Sequence, residues 1–92
     1  MTNLSRLVLD VLKPHQPGIH ELAMQISEIN GVDGINITLI EVDVDTETIT
    51  VTIEGDFKFE SIKDKLEEWN CSIHSIDQVI AGKKLVEYKK LK

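Results

Sequence analysis

The sequence predicts an α+β sandwich built as β-α-β-β-α-β. Three observations carry that expectation. A first apolar run has hydrophobic residues on both of its faces, as a central strand does. Two segments with helical spacing are each followed by alternating runs. One of those runs, "TITVTIE" at residues 48–54, alternates strictly between threonine and isoleucine or valine until its closing glutamate.

The elements follow in order. In "LVLDVLK", Leu7, Leu9 and Val11 share one face while Val8, Asp10 and Leu12 share the other. "KPHQPG" ends the run, since two prolines and a glycine punctuate the chain. From Ile19 the period changes: Ile19, Leu22, Ala23, Ile26 and Ile29 recur at helical spacing, with His20, Glu21, Gln25 and Glu28 turned outward. Asn30-Gly31 tolerates the left-handed conformation at the helix exit. In "INITLIEVDVD", Ile35, Ile37 and Leu39 share one parity and Ile40, Val42 and Val44 the other. A β-bulge between Leu39 and Ile40 would reconcile the halves. The next strand places Ile49, Val51 and Ile53 on one face. A turn at Thr46-Glu47, or a four-residue loop of the same register, sets Val44 opposite Ile49, Val42 opposite Val51 and Ile40 opposite Ile53. Phe59, Ile62, Leu66 and Trp69 mark a second helix, ended by Asn70. A last strand runs from Ser72 to Ile80, with Gly82 breaking it. This is the ferredoxin-like pattern, a four-stranded antiparallel sheet in order 4-1-3-2 with both helices on one face.

The chain of 92 residues suits one domain, residues 1–92, with a basic tail from about residue 83. A domain of this size has a modest core that self-association would supplement. Net charge is −6, unevenly spread: residues 83–92 carry five lysines and one glutamate, and the remainder is strongly acidic. An acidic body repels phosphate backbones, so no nucleic-acid partner is expected. No apolar run reaches the roughly 20 residues of a membrane helix. With no leader-like N-terminus and a single cysteine, Cys71, a cytoplasmic location is expected. Cys71 reads as a small buried residue where helix meets strand.

"RLVLDVLKPH", "INGVDGINITLIEVDVDTE", "VTIEGD" and "IHSIDQVIAGKKLV", taken together and in this order, resemble an archaeal family known as a domain of unknown function, the two-eleven group. The resemblance runs from Arg6 to about Glu87. It implies a ferredoxin-like fold, a cytoplasmic archaeal protein and assembly into rings or higher oligomers. It implies no activity.

No catalytic motif is present, so no enzyme is expected. The acidic stretch "ITLIEVDVDTETITVTIEGD" holds six carboxylates and no basic residue. Asp43, Asp45, Glu47 and Glu54 fall at EF-hand spacing, but Thr48 stands where that loop needs glycine, and the alternation demands a strand. The expected register puts Asp43 across from Thr50 and Glu41 across from Thr52, on the sheet face away from the helices. Glu41, Asp43 and Asp45, with Asp10 on the central strand, are therefore the candidate ligands of a divalent cation, Ca²⁺ or Mg²⁺, at the acidic sheet or between subunits. Carboxylate oxygens suit those hard cations. His15, His74 and Asp77 are the candidate ligand-binding residues. The leading expectation is a non-enzymatic homo-oligomeric module. The alternative is a regulatory sensor of an amino-acid-type small molecule, with capture at a strand–helix junction such as "KPHQPG" or "NGVDG".

Overall fold

The computed structural model describes residues 2–89. It contains β1 (Leu4–Pro14), α1 (Ile19–Ser27), β2 (Val32–Val42), β3 (Thr46–Phe57), α2 (Phe59–Glu68) and β4 (Ser72–Ala81). The strands form one antiparallel sheet in the order β2-β3-β1-β4, the expected ferredoxin-like order read from the other edge. Residues 90–92 of the basic tail lie outside the described residues.

The two-sided apolar pattern of β1 places it inside the sheet. Leu7, Leu9 and Val11 stand opposite Ile53, Val51 and Ile49 of β3. All six are buried, and Leu22 and Ile26 of α1 and Ile62 and Leu66 of α2 close over them. Each such side chain contributes about 1.5–3 kcal/mol by leaving water. On the open face Val8 and Asp10 are half-buried and Leu12 is exposed.

The helix ends follow local chemistry. Glu21 Oε1 accepts the Gly18 N–H at 3.1 Å, satisfying one of the orphan donors of the α1 N-terminus. Lys58 precedes α2 without a side-chain cap. At the other end Asn70 takes φ 63°, while its N–H donates to the Glu67 carbonyl at 3.0 Å and that of Cys71 to the Leu66 carbonyl at 2.8 Å. That pair of bonds is a Schellman closure, and it turns the chain directly into β4.

The hairpin register differs from the expected one. Ile35, Ile37 and Leu39 stand opposite Ile53, Val51 and Ile49. The bulge falls between Leu39 and Glu41, where the parity switch asks for it, and beyond it Glu41 faces Thr48 and Val42 faces Glu47. The Asp43 N–H donates to the Thr46 carbonyl at 2.8 Å, so the chain reverses over Val44 and Asp45. Asp43 therefore does not face Thr50, and Glu41 does not face Thr52; Thr38 and Asn36 occupy those places. The reason is length. The expected register, with its bulge, would carry Ile35 opposite Phe57, the last residue of β3, and leave residues 32–34 with no partner. The observed one pairs β2 along its whole length and lets Val32, Ile35 and Ile37 join the core, with α1 packed against β2.

One backbone approach closes the far end of the hairpin. Gly31 and Gly55 take φ of 93° and 154°, and the Asp56 N–H donates to the Gly31 carbonyl at 2.7 Å.

Candidate functional site

Three features remain once the core is accounted for: a buried ion cluster, an apolar hairpin flank and a cleft at the opposite end of the sheet.

The ion cluster begins with Lys13. It extends the Leu7–Leu9–Val11 face by one more alternation, so its side chain points into the core and has 0% exposure. A buried ammonium needs partners. The β1–α1 loop supplies three carbonyls, those of Pro14 at 2.7 Å, His15 at 3.3 Å and Pro17. Glu47 Oε1 completes the shell at 3.0 Å. The second Glu47 oxygen lies 3.3 Å from His15 Nδ1, and His15 Nε2 donates to the Val44 carbonyl at 2.8 Å. The cluster therefore ties the loop after β1 to the β2–β3 reversal.

These bonds shift two ionisations. Glu47 is held below its usual value near 4.5, first by the hydrogen bond from Lys13 and then by that from His15. His15 is raised above its usual 6.5, first by the Val44 carbonyl and then by Glu47. A depressed carboxylate stabilises the fold above its unfolded value, and that contribution is lost as pH falls through the lower folded value. A raised histidine stabilises it fully below about 6.5, and that contribution is lost as pH rises through the higher folded value. The melting temperature is therefore expected to peak between these limits, and His15→Asn to flatten the decline on the alkaline side. Thermal melts followed by circular dichroism across the acid-to-alkaline range check both slopes.

The candidate residues are scattered by this geometry. Glu41, Asp43 and Asp45 are exposed on the hairpin. Asp10 stands between Thr50 of β3 and Ser75 of β4, two strands from Glu41. Among the described residues no three His, Cys, Asp or Glu side chains come close enough to hold a metal. His15 belongs to the ion cluster at one end of β1. His74 and Asp77 are the extra residues of two bulges in β4, where the pairing with β1 steps from Ser75 to Ile73 and from Gln78 to Ile76. Ser75 donates to Asp77 Oδ1 at 2.7 Å. Cys71 is buried as expected, and burial pushes its thiol up, which leaves it a poor nucleophile.

Lys13 and Glu47 were not singled out by their sequence. The available signal was the lysine two positions after Val11, on the core parity of β1, with a proline behind it. Glu47, in turn, falls in the expected hairpin turn, whereas the structure places it on β3 opposite Lys13 of β1.

The hairpin flank is the largest departure from an ordinary surface. Ile40, Val42 and Val44 are 60%, 57% and 91% exposed. Leu39 is exposed beside them, and β2 is an edge strand.

At the other end of the sheet an open cleft of about 660 Å³ is bordered by Thr2, Ser5, Asp33, Asp56, Lys83 and Leu85. Arg6 reaches across the adjoining sheet face to Glu54 at 2.8 Å and Glu87 at 2.9 Å. Asp33, Asp56 and Lys83 take part in none of the ion pairs found among the described residues. The two junctions expected to capture a ligand thus differ: "KPHQPG" is filled by the chain's own ammonium, and "NGVDG" borders an open cleft.

No helix is long and apolar enough to cross a membrane among the described residues. Comparison with known proteins agrees with the ordered motifs of the sequence. The chain is 46% identical over 88 residues to the uncharacterized protein MJ0319 of Methanocaldococcus jannaschii, covering 95% of this chain and 91% of that protein. The family model DUF211, described as uncharacterized ArCR, matches residues 5–92, and the chain belongs to that family.

Proposed function

We propose that the protein is a non-enzymatic module that associates with further copies of itself through the flank of the β2–β3 hairpin. The observation that carries this reading is the exposure of Ile40 and Val42 on the edge strand β2 together with Val44 at the reversal that follows it. Clustered apolar side chains of this kind favour burial against a partner. Charge favours a second copy as that partner. Glu41, Asp43 and Asp45 alternate with the apolar residues, while residues 83–92 carry five lysines. Leu85, Val86 and Tyr88 are exposed in the same segment. The hairpin of one copy and the C-terminal segment of the next thus match in both apolar character and sign. The interleaved acids also discourage indiscriminate pairing of the β2 edge. A divalent cation, Ca²⁺ or Mg²⁺, held by Glu41, Asp43 and Asp45 of neighbouring copies is the other means of neutralising this surface.

Sedimentation velocity tests the reading. The wild-type chain is expected to sediment as an oligomer at micromolar concentration, and the triple variant Ile40→Thr, Val42→Thr, Val44→Thr as a monomer with an unchanged circular dichroism spectrum. Loss of association in high salt identifies lysine pairing, since exposed ion pairs are screened. Loss on adding a chelator identifies the cation. A wild-type monomer under all these conditions sinks the reading.

The cleft beside Asp33 favours a second reading, the amino-acid-type sensor. Of its three carboxylates Glu54 is paired with Arg6, while Asp33 and Asp56 suit an ammonium group and Lys83 a carboxylate. Thermal-shift screening of amino acids separates the readings, because a melting temperature raised by one amino acid and not by its decarboxylated amine shows recognition of the carboxylate, the group Lys83 would hold.

A further inference from the structure

The β2–β3 reversal is fastened to the rest of the molecule by His15. Its Nε2 lies 2.8 Å from the Val44 carbonyl and its Nδ1 3.3 Å from Glu47 Oε2. A carbonyl and an ionised carboxylate can only accept hydrogen bonds, so both ring nitrogens must carry hydrogen for both bonds to form. Only the imidazolium meets that condition. A neutral ring must give one bond up. Glu47 does not shift to follow the ring, because its other oxygen is held by Lys13, which is itself buried and fixed by the loop carbonyls. The charged groups facing His15 are this carboxylate on β3, which attracts the imidazolium, and the Lys13 ammonium on β1, which opposes it and is already paired with the same carboxylate. The other acceptor belongs to Val44, whose side chain stands at the tip of the exposed flank.

We propose that His15 is a proton-operated clamp on the docking hairpin. The protonated ring holds Val44 and Glu47 in one arrangement and presents the flank ready for a second copy. The neutral ring keeps only one of these two bonds, so the reversal over Val44 and Asp45 is fastened less firmly, and ordering it again on association costs conformational entropy. Docking is therefore tighter toward acid. This inference rests on the reading of the hairpin as the docking surface.

Sedimentation equilibrium on the full chain at about pH 6 and about pH 8 tests it. Three proteins are compared: wild type, His15→Asn and His15→Arg. The association constant of the wild type is expected to be about three- to tenfold higher at the lower pH, the worth of one hydrogen bond. His15→Asn is expected to bind at the weaker level at both pH values, and His15→Arg to show no pH dependence. His20 and His74 are present in all three proteins, so the comparison isolates His15. Amide hydrogen exchange at residues 43–46 of the monomeric triple variant reads the clamp without association, and faster exchange at the higher pH, after correction for intrinsic rates, is expected. A wild-type association equal at both pH values overturns the clamp and leaves the docking reading standing. So does a His15→Asn variant that keeps the wild-type ratio. Absence of association at either pH removes the docking reading and the clamp with it.

Discussion

Alanine at Gly31 is expected to destabilise the protein by about 3 kcal/mol or more, which in a domain of this size lowers the melting temperature by about 12 °C or more. The reason is the approach of two backbones where β2 begins and β3 ends. A Cβ on Gly31 would lie 2.0 Å from the Asp56 carbonyl oxygen and 2.9 Å from its carbon. Those are main-chain atoms, so no side chain can swing aside. Relief would require breaking the Asp56-to-Gly31 bond and with it the register of the hairpin. The φ of 93° adds strain for any residue with a Cβ. Gly55→Ala is expected to behave alike, because its Cβ would meet the Gly31 carbonyl oxygen at 2.0 Å. Gly34 is the control. A Cβ there meets nothing within 4 Å, so Gly34→Ala should change stability by no more than about 0.5 kcal/mol. Thermal melts of the three variants decide the matter. A Gly31→Ala protein that melts within a few degrees of the Gly34→Ala protein would show that the hairpin end yields without cost.

Lys13→Met is expected to cost about 2–4 kcal/mol even though the substitution keeps an unbranched apolar side chain of similar length. Methionine can fill the space beside the β1–α1 loop and so leaves little cavity. What it removes is the donor shared by the carbonyls of Pro14, His15 and Pro17 and the partner of Glu47. The loss comes from leaving these acceptors in place with nothing to satisfy them. Lys13→Arg does not rescue the site, since a planar guanidinium is larger than an ammonium and the site has no exposed volume for it. Adding Glu47→Gln to Lys13→Met should recover part of the loss by removing the stranded charge. Urea denaturation of the single and double variants measures both effects. A Lys13→Met protein as stable as wild type would mean that the loop carbonyls turn outward to water at no cost.

The strand order could be read from the chain because the apolar pattern of β1 has one interpretation. Leu7, Leu9, Val11 with Val8 and Leu12 make β1 apolar on both sides, and only an inner position uses both sides. The hairpin register could not be read in the same way. β3 offers Ile49, Val51 and Ile53 to any strand that brings three apolar residues at period two, and β2 brings two such sets. Local pairing favours neither. Strand length and the helix lying on β2 decide for Ile35, Ile37 and Leu39, and both are properties of the assembled sheet. The same choice moves the acids. Ile40, Val42 and Val44 become surface, and the carboxylates between them move toward the hairpin tip, away from the row of Asp10 and Thr50. The ion cluster was half legible: a lysine on a core parity signals a buried cation, but its partner Glu47 lies 34 residues away and is chosen by the pairing of β1 with β3.

Cys71 gives the molecule a built-in clock. The chain has one thiol, and it sits at the exit of α2 with 3% exposure. Its protonated, enclosed state makes it inert to a disulfide reagent while the fold is shut. Labelling must then wait for an opening that uncovers the α2–β4 junction. When reclosing outpaces the reagent, the labelling rate divided by that of an unfolded peptide equals the fraction of time the junction stands open. A colorimetric trace in native buffer thus reports local opening, without denaturant or heat.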